Sequence, residues 1–113
     1  MTLNAEFLNF AVSNINLKNI IAVESKVIIR QLDKKEFEKL DIAGWPVWEK
    51  EESEFPWSYE GFDEQCYILE GEAYIRSIEG NYVIKAGDFV TFKDGLQCDW
   101  KITKPIKKHY NFV

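Results

Sequence analysis

The sequence predicts an all-β domain, a jelly-roll-like antiparallel barrel carrying one short helix. Three observations carry that expectation: apolar residues recur with period two in short segments after Pro46, turn-forming residues separate those segments, and the strands are numerous. A chain with many short strands must protect their edges, and wrapping the sheet on itself does so. Taken in order, Lys26 to Gln31 contains the β-branched run Val27-Ile28-Ile29 and reads as a strand. Asp33 followed by Glu36 resembles a capping box, which starts a short helix through Leu40; Gly44 and Pro46 stop it. Strands are then expected near Val47–Lys50, Glu54–Tyr59, Glu64–Glu70, Ala73–Ile78, Tyr82–Lys85, Phe89–Phe92, Gln97–Ile102 and Lys107–Phe112, with Pro105 between the last two. Glu79-Gly80-Asn81, Ala86-Gly87-Asp88 and Lys93-Asp94-Gly95 supply the turns.

Size and composition narrow the function classes. A chain of 113 residues forms one domain, with 29% charged and 46% hydrophobic residues, the balance of a soluble globular protein. The net charge of -5 repels phosphate backbones, and no basic cluster offsets it, so nucleic acid is not an expected partner. No apolar run approaches the roughly 20 residues that cross a bilayer, so no membrane association is expected. Residues Met1–Ser25 form an N-terminal extension ahead of a domain spanning 26–113; Leu3, Phe7, Leu8, Ala11 and Ile15 fit one helical face, whereas five Asn dilute helix propensity. The first positive charge of this segment is Lys18, which argues against a targeting signal and for a cytoplasmic protein. Cys66 and Cys98 are then expected as free thiols.

Two blocks carry a specific likeness. The run Glu64-Gln65-Cys66-Tyr67-Ile68-Leu69-Glu70-Gly71 and the run Gly87-Asp88-Phe89-Val90-Thr91-Phe92-Lys93-Asp94-Gly95-Leu96-Gln97-Cys98 resemble the paired motifs of the cupins. Together with Gly44-Trp45-Pro46-Val47-Trp48-Glu49, Phe55-Pro56-Trp57-Ser58-Tyr59 and Lys108-His109-Tyr110, they are most similar to short single-domain cupins related to ureidoglycine aminohydrolase and the ethanolamine-utilisation Q protein. The resemblance covers roughly 26–113. It implies a metal ligand at Glu64 and a further ligand position at Cys98, where the family has histidine. The His-x-His positions fall on Trp57 and Tyr59, or on Ser58 and Glu60, and neither register holds a histidine. Cys66 shares the strand parity of Glu64, so a carboxylate and two thiolates would suit zinc; a metal-free pocket without a cofactor is the favoured expectation.

The candidate catalytic residues are therefore Glu64 and Cys98. A carboxylate on an inward strand face must be paired or protonated, and one titrating near neutrality serves as a general acid or base. Cys98 acts as a nucleophile only with a cation beside it, and the lone His109 on the last strand is the natural helper. Trp57, Tyr59, Tyr67 and Trp100 are expected to line a ligand-binding aromatic wall, while Trp45 and Trp48 read as packing residues. The acidic segment Glu49–Glu54 reads as a solvated edge, and Lys107 and Lys108 as surface charge.

These readings converge on a small-molecule-binding cupin of the pocket Glu64, Cys98 and aromatics. One alternative is a metabolic enzyme of aminohydrolase or isomerase type using Glu64 with a labile divalent metal. Another is a non-catalytic dimerisation or interaction module, distinguished by a barrel mouth filled with side chains. By analogy with cupins that pair through their sheets, a homodimer is expected.

Overall fold

The computed structural model describes residues 25–113, so the expectations for residues 1–24 lie outside the described residues. Strand β1 (Val27–Arg30) leads into helix α1 (Lys34–Lys39). Asp33 caps α1 by accepting the Glu36 N–H at 2.8 Å. Only half of the capping box forms, because the Glu36 carboxylate pairs with Arg30 at 2.7 Å. The helix sets Phe37 edge-on against Tyr67, with ring centroids 5.0 Å apart. A 3-10 turn over Ile42–Gly44 follows and buries Ile42 before the chain re-enters the sheet.

The remaining strands are β2 (Val47–Lys50), β3 (Ser53–Ser58), β4 (Glu64–Ser77), β5 (Gly80–Lys85), β6 (Phe89–Phe92) and β7 (Gln97–Phe112). They form one seven-stranded antiparallel sheet in the order β1-β6-β4-β7-β2, with β3 also on β7 and β5 also on β4. Two pairs of expected strands are single continuous strands, β4 and β7. The physical reason lies in the register, which shifts between Ile68 and Ala73: the ladder bulges there and the strands bend without ending. Pro105 sits opposite this region and is tolerated because the ladder is already interrupted there.

The bend also resets which side chains point inward. Before it, Glu64, Cys66 and Ile68 of β4 are buried; after it, Ala73 and Ile75 are, so the parity changes by one residue. Strand β7 keeps its parity throughout, burying Cys98, Trp100, Ile102, Ile106 and Lys108. Each long strand serves two neighbours: β7 pairs with β3 through Gln97–Ile102 and with β2 through Ile106–His109. Strands β2 and β3 are therefore laid end to end along β7, and their inward residues share one compartment.

Gly71 marks the bend. Its φ is +90°, and a Cβ there would collide with the Pro105 carbonyl oxygen, a backbone atom that cannot yield. Gly61 has nearly the same φ, +89°, yet nothing lies within 4 Å of its added Cβ. Gly71→Ala is thus expected to lower stability by about 3 kcal/mol or more, and Gly61→Ala by only about 1–2 kcal/mol, in urea unfolding. Equal losses would show that the close approach at the bulge is unimportant.

Candidate functional site

The compartment along β7 is walled by aromatic side chains because of strand parity. Residues Trp48 and Lys50 of β2, Phe55 and Trp57 of β3, and Tyr59 just beyond it point to the same side as Trp100, Lys108, Tyr110 and Phe112 of β7. With Glu64 from β4 they line a cavity of about 410 Å³. That size is within the range of small-molecule sites. Trp57 and Phe112 are about half exposed, at 49% and 52%, and mark the open side. Phe55 lies parallel to Trp100, at 10° and 6.1 Å between centroids, and Trp48 meets Trp100 edge-on at 6.2 Å.

The polar floor is a buried ion pair. Lys108 donates from Nζ to Glu64 Oε2 at 2.7 Å, and Tyr59 donates its hydroxyl to Glu64 Oε1 at 3.0 Å. Glu64 is 4% exposed and Lys108 5%. Taking both charges out of water is expensive, and attraction offsets it only where hydrogen bonds and geometry are good. Here the ammonium also sits 5.0 Å from the Trp48 ring centroid and 4.9 Å from that of Trp100, so two indole faces replace part of its hydration. Burial, and then the neighbouring Glu64 carboxylate, push the Tyr59 hydroxyl well above the ordinary phenol range. Tyr59 is held in place by Phe92, stacked at 3° and 5.1 Å.

Of the residues singled out in the sequence, Glu64, Trp57, Tyr59 and Trp100 meet in this cavity. Tyr67 does not: neighbours alternate across a strand, and Tyr67 packs against Phe37 on the opposite side. Cys98 belongs to the hydrophobic core, opposite Trp57 in the ladder, and is not in the cavity wall. Burial, then Asp99 and Glu64, push its thiol up to about 11. Fully buried Cys66 is pushed up to about 12, chiefly by burial. His109 Nδ1 lies 2.9 Å from the Trp45 carbonyl oxygen, and in the ladder His109 stands opposite Tyr67, on the other face of the sheet from Cys66. Lys108, expected as surface charge, is instead central to the cavity, and Trp48 packs against the core as expected while also lining the cavity. The overlooked signal is the even parity running from Trp100 through Ile106 to Lys108, which holds only if β7 continues past Pro105.

The donor set does not fit a divalent metal. Among the described residues no three His, Cys, Asp or Glu side chains converge. Both Glu64 oxygens are engaged, and the Lys108 ammonium at 2.7 Å would repel a second cation placed beside it.

Two outcomes test this site. Lys108→Met should lower stability by about 3–5 kcal/mol by stranding the Glu64 charge, and adding Glu64→Gln should restore much of it. Additive losses in urea unfolding would mean the two groups are not coupled. Because both thiols are raised, at pH 8 the folded protein should present roughly one thiolate per thousand thiols or fewer. Thiol-reagent labelling should therefore be slow in the native protein and fast once urea unfolds it; a rapidly labelled native Cys98 would contradict its core placement.

Comparison with known proteins bears on the fold. No curated protein matches the chain. A DUF861-family protein from Thermotoga maritima is 45% identical, with a TM-score of 0.74 over 77% of this chain and 99% of that one. An ethanolamine-utilisation protein Q from Salmonella typhimurium shares the fold at 22% identity and a TM-score of 0.52, over 74% of this chain and 66% of that one. The EutQ protein of Clostridium difficile shares it at 17% identity and 0.52, over 86% and 82%. The family model for the EutQ-like cupin domain matches residues 37–110, from α1 almost to the end of β7. The chain thus belongs to the EutQ-like cupin domain family.

Proposed function

We propose that this cupin binds a small, flat metabolite between the aromatic walls of its cavity, without a tightly held metal. The observation that carries the reading is the open compartment of about 410 Å³ with a charged floor, Glu64 and Lys108, beneath Trp48, Phe55, Trp57 and Trp100. Aromatic walls supply apolar contact area and preferred stacking distances, while a few convergent polar groups fix orientation. A module that served only for association would have no need of such a space, and a filled mouth would have favoured it. An aminohydrolase or isomerase working through a metal on Glu64 is disfavoured by the ammonium already paired there.

The half-exposed Trp57 offers a variant that spares the core. Metabolites that raise the melting temperature of the wild-type protein should bind roughly tenfold more weakly to Trp57→Ala, a loss of about 1.4 kcal/mol. If stabilising ligands are indifferent to Trp57, they bind elsewhere and the cavity reading fails.

A further inference from the structure

We infer that the cavity selects planar anions, a conjugated body bearing one carboxylate or a comparable oxyanion, over neutral and cationic molecules of the same shape. The inference rests on the reading of the cavity as a small-molecule site and adds the chemistry of the occupant. Three observations support it.

The wall has spare donors and no spare carboxylate. Lys108 carries three N–H bonds; one reaches Glu64, and its other close neighbours are the faces of Trp48 and Trp100. Trp100 also lines the cavity, although its indole N–H is buried away from the accessible space. Both oxygens of Glu64 already accept, from Tyr59 and from Lys108. An occupant must therefore bring acceptors more than donors, since an unsatisfied buried donor is costly.

Charge points the same way. Two ammonium groups, Lys50 and Lys108, line the cavity against one carboxylate, Glu64, leaving a local positive excess in a chain whose net charge is -5. Lys50 stands on the open side with its ammonium 5.3 Å from the Phe55 ring centroid. Glu49, Glu51, Glu52 and Glu70 are exposed and line a separate groove that shares Lys50. Their charges, like that of exposed Lys50, are solvated and screened far more than the buried pair.

A cationic occupant, finally, would have to compete for faces that are taken. Aromatic boxes attract cations, but the best faces here, those of Trp48 and Trp100, already hold the Lys108 ammonium. What remains is the stacked Phe55–Trp100 flank and the rim ring of Trp57, which suit a flat ring.

The test uses benzoate, benzamide and benzamidine, which share shape and differ in charge, titrated into the full chain with tryptophan fluorescence as readout. Benzoate should bind about tenfold or more tighter than benzamide, with benzamidine weakest. Lys50→Gln, which alters an exposed side chain, should weaken benzoate about fivefold and leave benzamide unchanged. Equal binding of benzoate and benzamide, tighter binding of benzamidine, or a benzoate affinity indifferent to Lys50→Gln would each overturn the selection for anions while leaving the cavity as a binding site. If none of the three binds while metabolites sensitive to Trp57→Ala do, the anion inference alone fails; if no ligand of any charge is sensitive to Trp57, the site reading fails with it.

Discussion

The buried contact between Glu64 and Lys108 is the interaction on which the rest of the interior depends. It joins β4 to β7, the two strands that every other strand except β1 pairs with directly. An ammonium at that depth needs substitutes for water, and the surrounding residues are arranged to supply them: a carboxylate, a phenol that steadies the carboxylate, and two indole faces. The aromatic walls are thus the solvation shell of a charge before they are the walls of a pocket. Their positions are set by that role, which leaves the Trp57 and Phe112 side open.

Fold and site were unequally legible in the amino-acid sequence. Local signals were reliable where local physics decides: Asp33 caps its helix, β2 and β6 have the bounds their alternation suggests, and the glycines of the turns take positive φ. Glu64, Tyr59, Trp57 and Trp100 were found because strand parity is itself a local property. Lys108 escaped because its burial is a property of a partner 44 residues away, and because a Lys-Lys pair beside a proline looks like solvated surface. Tyr67 was placed in the site on the strength of its aromatic character, although parity from Glu64 puts it on the helix side. Cys98 had the right parity but the wrong neighbourhood: it is buried among core residues and borders a separate groove beyond Trp57.

The same arrangement changes what the cupin interior offers chemically. In one of the two registers of the motif resemblance, Trp57 and Tyr59 fall where histidines would stand, and they are not idle substitutes. Tyr59 donates to Glu64, and Trp57 forms part of the mouth, so the positions remain in the site with different chemistry. A site built on a charged donor and ring faces recognises a ligand by acceptor placement and shape, where a metal site recognises it by coordination.

Strand β7 has one more consequence, for the order in which the molecule can be made. It is the shared neighbour of β2, β3 and β4, and its last residues pair with the start of β4. On the ribosome, earlier strands can collapse and β4 can zip with β5 and β6, but the compartment lacks its β7 wall until Phe112 has emerged from the exit tunnel. Assembly of the interior is therefore dominated by distant pairings, and a nascent chain waiting for β7 exposes the open flank of β4 to any chaperone or stray strand nearby.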